Sequence, residues 1–216
     1  MRKLNFSDRL LDELQHGLNT SHQRPAMGAR GYPAKGIEDD SLNGMLDDMD
    51  SAHSAGLMRV NNAGEVAAQG LYRGQALGAR DSALGEAMQQ AAEEENEHLN
   101  WCQQRLAELN QGRSLFDGVW YWGSFSIGAL AAAAGDKWSL GFVKETEQQV
   151  CAHLDRHLEQ LPQQDQRSRA ILACMREDEL RHAENAAAAG AAELPSPVKA
   201  AMTLVSKIMT FTAYRI

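Results

Sequence analysis

EENEHLNWC, residues 94–102, and DELRHAENA, residues 178–186, each carry a Glu-x-x-His: Glu95 with His98, and Glu179 with His182. Residues three apart on a helix share a face, so each pair presents a carboxylate and an imidazole side by side. Two such pairs in an all-helical chain are the pattern of dinuclear carboxylate bundles, which also need one lone Glu from each of two further helices. Glu65 lies 30 residues before Glu95, and Glu147 lies 32 before Glu179. The pattern Glu…Glu-x-x-His is therefore written twice, as in a duplicated helical hairpin.

Working outward, the flanking apolar residues keep the helical period. Leu84, Met88, Ala91, Glu95, His98, Cys102, Leu106 and Leu109 form one stripe, and Leu172, Met175, Glu179, His182 and Ala186 form another. Glu147 falls in the stripe of Leu140, Val143, Val150, Cys151, Leu154, Leu158 and Leu161. Glu145 points about 200° around that helix, so Glu147 is the expected ligand. Around Glu65 the stripe is thinner: Met58, Ala68, Gln69, Tyr72 and Ala76. Glu93, Glu94 and Glu97 are expected on or near the wet flank, with Asp178 and Glu94 as acceptors for the N–H groups of the ligand imidazoles.

Four inward carboxylates cannot be buried bare; without a partner each would take up a proton. Two divalent cations balance four Glu charges. Glu and neutral His donors suit iron or manganese, and no thiolate spacing favours zinc. The expected metal and catalytic set is thus Glu65, Glu95, His98, Glu147, Glu179 and His182.

The 216 residues are enough for one domain with a substantial core. Net charge is −8, from 29 acidic and 21 basic residues, which argues against nucleic-acid binding. Cys102, Cys151 and Cys174 form no CxxC and suggest no disulfide framework, so a reducing cytoplasm is the simplest reading. The first residues, MRKLNFSD, contain no apolar core of a secretory signal.

The expected organisation is an arm and linker over residues 1–46 and a catalytic domain over 47–216. Residues 7–17 fit a short amphipathic helix, and Asn19 to Gly44, with Pro25, Pro33 and several Gly, reads as an extended wrapping arm. Four long helices are expected: from about Asp47 to Arg80, from a cap at Asp81 or Ser82 to about Asn110, from Asp136 as cap to a point before Pro162, and from about Asp165 to Ala189. The uncharged run GVWYWGSFSIGALAAAAG, residues 118–135, is short and Gly/Ala-rich for a membrane span. It suits the crossover of a ferritin-like bundle, and also an apolar entrance for a greasy ligand. The tail SPVKAAMTLVSKIMTFTAYRI, residues 196–216, is amphipathic, with Val198, Ala201, Met202, Val205, Ile208 and Met209 on one face and only Lys199, Lys207 and Arg215 charged. It fits either a membrane-interface helix or a fifth core helix.

Together these residues resemble the demethoxyubiquinone hydroxylase family, ferritin-like di-iron enzymes of ubiquinone biosynthesis. The resemblance covers about residues 53–216. It rests on Arg59-Val60-Asn61-Asn62-Ala63-Gly64-Glu65, on Glu95/His98, on Glu147 with His153 six residues later, and on Glu179/His182. Asn62 stands where many members carry His. The resemblance implies an all-α ferritin-like four-helix bundle with a long crossover and an extra C-terminal helix. It implies two Fe ions per chain, O2 as co-substrate, and hydroxylation of the ring of a polyprenyl methoxy-benzoquinone or quinol. It further implies peripheral attachment to the cytoplasmic side of the cell inner membrane and contact with other ubiquinone-biosynthesis proteins. His153 would contact substrate or sit between helices. No GxGxxG fingerprint for a bound nicotinamide or flavin is present. The alternative function is a ferritin-type iron-binding protein or ferroxidase, and a second alternative is a metal-free structural bundle.

Overall fold

The structure, a computed structural model, describes residues 6–22, 30–37 and 46–216. Among them there are helices and no strands. In chain order these are α1 (Phe6–His22), α2 (Asp48–Gly78), α3 (Ser82–Glu108), α4 (Asp117–Ala134), α5 (Asp136–Gln160), α6 (Gln166–Ala188) and α7 (Ser196–Ala213).

Polar side chains set the helix starts as the sequence leads one to expect. Asp47 accepts from the Asp50 N–H at 2.7 Å, Asp81 from the Ala83 N–H at 2.9 Å, and Asp165 from the Ser168 N–H at 2.9 Å. Asp165 also accepts from Arg105 Nη2 at 2.7 Å, which fastens the α5–α6 turn to α3. The expected cap at Asp136 is a correction. Gly135, at φ 123°, precedes α5, and the Asp136 carboxylate instead accepts from the Arg80 and Asp81 N–H groups at the α2–α3 corner. Helix α1 runs on through Asn19 to His22, which the sequence reading had placed in an extended arm. Gly17 lets that turn lie on the rings of Trp122 and Tyr121; a Cβ there would stand 2.4 Å from Trp122. Of the rest of the arm, residues 30–37 pack on the bundle with Ala34 fully buried, and residues 23–29 and 38–45 lie outside the described residues.

Helices α2 and α3 make one hairpin, α5 and α6 the other, and α4 crosses between them. The apolar core is in two main parts. One holds Leu57, Met58, Trp101, Cys102, Leu106, Leu154, Ile171, Leu172 and Met175. The other holds Tyr72, Met88, Ala92, Leu140, Val143 and Ala186. Glu65, His98, Glu147 and Glu179 fall between these two along their helices. The bundle is thus apolar at both ends and charged in the middle.

The crossover is held close by glycine. Gly70 and Gly74, one turn apart on α2, face the backbone of α4, and a Cβ on them would stand 2.3 Å from the Tyr121 carbonyl and 2.1 Å from the Phe125 carbonyl. Gly128 of α4 faces α2 in the same way, 2.2 Å from the Leu71 carbonyl. Ala normally stabilises a helix over Gly by about 1 kcal/mol. At Gly123, with nothing within 4 Å, Gly123→Ala should therefore raise thermal stability. Gly128→Ala should lower it by about 1–3 kcal/mol, because the two backbones must part. Thermal denaturation of the two variants checks the pair of opposite signs.

Candidate metal centre

Glu65 comes from α2, Glu95 and His98 from α3, Glu147 from α5, and Glu179 and His182 from α6. All six are buried. Donor atoms of Glu65, Glu95, His98 and Glu179 lie within 4.8 Å of one another, and so do those of Glu95, Glu147, Glu179 and His182. The structure therefore brings all six sequence-selected residues together, as two overlapping groups that share Glu95 and Glu179. Each hairpin provides one lone Glu and one His to its own group, and one Glu common to both.

The imidazoles face the same way. His98 Nδ1 lies 3.1 Å from both Glu95 Oε2 and Glu179 Oε1, and its Nε2 donates to Asp178 Oδ2 at 2.9 Å. His182 Nδ1 lies 3.2 Å from Glu95 Oε1 and 3.3 Å from Glu179 Oε2, and its Nε2 donates to Glu94 Oε2 at 2.8 Å. Carboxylates only accept, so Nε2 carries a proton in each ring; with a cation bound, both Nδ1 atoms would give up theirs and turn a lone pair into the centre. The two acceptors expected from sequence, Asp178 and Glu94, are in place. The Tyr72 hydroxyl donates to Glu147 Oε1. The sequence reading gave Tyr72 no role beyond its stripe, although it stands two turns after Glu65 on that face.

These residues fit a pair of cations. Glu95 Oε1, Glu179 Oε2 and His182 Nδ1 are buried with no hydrogen-bond donor or acceptor satisfying them, which in a folded core calls for an unfilled coordination partner. The electrostatics agree. Burial, with the charges of Glu95 and Glu179, drives Glu65 well above the ordinary carboxylate range. Burial and the charges of Glu179 and Glu95 do the same to Glu147. Burial opposes ionisation of Glu95 too, yet contact with His98 and His182 holds it below that range. His182 is pushed up to about 12, because the Glu179 and Glu95 carboxylates facing its Nδ1 outweigh burial. Protons here do what two cations would do better.

Other expectations divide. Glu145 lies off the site, its carboxylate 2.9 Å from Lys199 Nζ. Glu93 is exposed as expected. Glu97 is a correction: it is buried and ion-paired with Arg30, a residue of the arm that the helical wheel of α3 does not include. Asn62 is buried and donates to Asp117 Oδ2 at 3.2 Å. His153 packs against His157 with ring centres 3.9 Å apart and planes tilted by 56°, and burial and the Arg156 charge bring its pKa down to about 4.

A cavity of about 350 Å³ ends on Glu65, Glu147 and Glu179. Its walls are apolar: Val60 and Leu71 of α2, Trp120 and Ile127 of α4, Phe142 and Val150 of α5, and Met202, Val205 and Met209 of α7. His153 is also in the wall, and its Nε2 is buried without a partner. Ile127 and Val205 are 40% and 47% exposed, so the mouth opens between α4 and α7. The wall formed by α7 was not legible in sequence, since its periodicity fits membrane and core equally.

Residues 52–213 match the model of the family "Ubiquinone biosynthesis protein COQ7". The chain belongs to this family. It is 52% identical over 209 residues to the 3-demethoxyubiquinol 3-hydroxylase of Chromobacterium violaceum, covering 97% of this chain and 99% of that protein. It is 53% identical over 213 residues to that of Nitrosococcus oceani, covering 99% and 98%. It is 58% identical over 171 residues to that of Ralstonia pickettii, covering 79% of each. The family model begins at residue 52, but the first two alignments take in most of the N-terminal arm of this COQ7-family chain as well.

Stability of the metal-free protein should depend on pH with a defined sign. Glu65, Glu147, His98 and His182 are all shifted up, so the folded chain binds extra protons there and loses stability as pH rises. His153 and His157 are shifted down, to about 4 and about 2, and act oppositely only below their unfolded value of 6.5. Above about pH 6.5 the first group acts alone. The metal-free protein should melt at steadily lower temperature from pH 6.5 to 8.5, and adding ferrous iron should flatten or reverse that slope, since metal replaces the protons.

Proposed function

We propose that this protein is a di-iron monooxygenase that hydroxylates the ring of a polyprenyl methoxy-benzoquinol, acting as a 3-demethoxyubiquinol 3-hydroxylase. The observation that carries the reading is the apolar cavity ending on three of the six candidate ligands, in a chain of the COQ7 family whose relatives bear that hydroxylase name. Its volume is in the range of small-molecule sites, about 300–1,000 Å³. A ferroxidase needs a polar path for iron, and these walls provide an apolar one.

Glu65 and His98 would hold one iron, Glu147 and His182 the other, with Glu95 and Glu179 between them. Iron held there would supply the reduction of O2: one oxygen atom would become the ring hydroxyl and the other leave as water, with two protons and with two electrons from an external reductant or from the quinol itself. The protein's own residues set the conditions. Asp178 and Glu94 hold the imidazoles with Nδ1 inward, Tyr72 steadies Glu147, and the apolar walls keep bulk water from the reacting ring.

We infer also that the protein attaches peripherally to a membrane, at the cytoplasmic side of the inner membrane, where such a lipophilic quinol resides. Among the described residues no helix is long and apolar enough to cross a membrane. Helix α7 is apolar on both sides: Met202, Val205 and Met209 face the cavity, while Leu204, Ile208 and Phe211 are 60%, 51% and 61% exposed. On α4, Val119 and Leu130 are 62% and 71% exposed. Such a surface suits burial at a lipid interface.

Glu179→Ala and His182→Ala should each abolish quinol hydroxylation under O2 and lower the iron content, whereas Glu145→Ala should leave both near the parent level; product analysis and metal analysis on the same samples decide this. Leu204→Glu combined with Phe211→Glu should abolish flotation with anionic liposomes and leave the melting temperature almost unchanged. Unaltered flotation would assign that face of α7 another role.

A further inference from the structure

Arg30, at the start of the described arm segment, reaches two helices at once. Its Nε donates to Glu97 of α3 and its Nη1 donates to Asp178 Oδ2 of α6 at 2.6 Å. Its backbone N–H also donates to Glu97 Oε1, at 3.0 Å. The guanidinium lies 4.9 Å from the centre of the Trp101 ring, and that ring lies 5.2 Å from the ring of His98. The segment behind it is seated, with Ala34 fully buried and Tyr32 packed against the same core.

Asp178 Oδ2 is the oxygen that accepts from His98 Nε2. The other carboxylate oxygen, Oδ1, lies 2.8 Å from Arg181 Nη2. Arg181 belongs to α6 like Asp178, and its Nη2 reaches the opposite hairpin only at a longer 3.7 Å, to Glu94 Oε2. Arg30 is different. It links Glu97, next to His98 on α3, to Asp178, next to Glu179 on α6. The candidate centre lies between these two helices, and the spacing of Glu95 and His98 from Glu179 and His182 depends on theirs.

We propose that Arg30 is a positioning residue of the metal centre: it staples α3 to α6 behind His98 and fixes the carboxylate that orients His98 toward the metal. The inference rests on the metal reading of the six-residue cluster. It predicts an asymmetry. The ion held by Glu65 and His98 depends on the arm, while the ion held by Glu147 and His182 is supported through Glu94 on the bundle itself. Outer partners of ligand imidazoles are worth about 10–100-fold in metal affinity. Arg30 acts one bond further out, and about tenfold at one of two ions is the expected effect.

The test uses the full chain loaded with ferrous iron without oxygen and challenged with a chromogenic chelator. The parent should release two ions slowly. Arg30→Met, which keeps the bulk over Trp101 and removes the charge, should release one ion about tenfold faster and the other at the parent rate. Arg30→Lys should restore much of the retention through a single charged contact. Because the two contacts form one network, Arg30→Met with Glu97→Gln should be no worse than Arg30→Met alone. The melting temperature should fall further in the metal-loaded variant than in the metal-free one, where only the lost ion pairs with Glu97 and Asp178 count. Release of both ions at the parent rate overturns the proposal. So does an equal loss of melting temperature with and without metal, which would make Arg30 only an anchor for the arm. A parent chain that takes up no ferrous iron would overturn the metal centre itself, a result distinct from either.

Discussion

Four glutamates buried in the middle of a helical bundle are the constraint on which the rest of this structure depends. Isolated carboxylates in such a place are too costly to ionise, and a bundle of apolar side chains would exclude them. They are tolerated because they converge on two imidazoles, with the remaining donor positions turned inward, in an arrangement suited to two divalent cations. The surrounding features follow from that need. Apolar plugs above and below keep water from the charged layer. Capping aspartates and the Arg105–Asp165 contact fix the registers of α3 and α6. Asp178, Glu94 and Tyr72 orient His98, His182 and Glu147.

The duplicated hairpin also explains why the site has two unequal surroundings. Around His182 the orienting carboxylate is Glu94, from the bundle itself. Around His98 it is Asp178, fastened from outside by the arm. Near-symmetry in the ligands therefore does not extend to their supports. On the proposed reading, two chemically similar metals face the same cavity through Glu65 and Glu147 but rest on different supports, one of them the arm.

The bundle, its crossover and the six-residue cluster were legible because helical periodicity and the i, i+3 spacing are local properties, and the cluster lies on the faces they define. Glu145 and Glu147 were told apart on that ground alone. What the sequence did not show depends on contacts between distant segments. Glu97 reads as a flank residue on the wheel of α3 but is buried in the fold, where Arg30, 67 residues away, pairs with it. Asp136 has the position and chemistry of a cap, but its carboxylate is drawn to the α2–α3 corner, where two backbone N–H groups need an acceptor. The two-sided use of α7 was open for a related reason: an amphipathic periodicity shows that a face is apolar but not whether lipid or core meets it.

That two-sidedness links entry to location. A helix with one apolar face must choose between core and lipid, and α7 serves both because only Ala213 among its residues is fully buried. Its inner side walls a cavity whose mouth lies between α4 and α7, and the exposed apolar residues of both helices flank that mouth. In water such a rim would be a liability, exposing large apolar side chains around an opening. Set against a bilayer, as proposed, it becomes a passage: a ring headgroup can move from lipid to the carboxylate cluster while its apolar tail never crosses water. The glycine contact between α2 and α4 matters here too. Drawing α4 backbone-close to α2 at Gly70, Gly74 and Gly128 fixes one jamb of that opening, and α7, the less buried helix, forms the other.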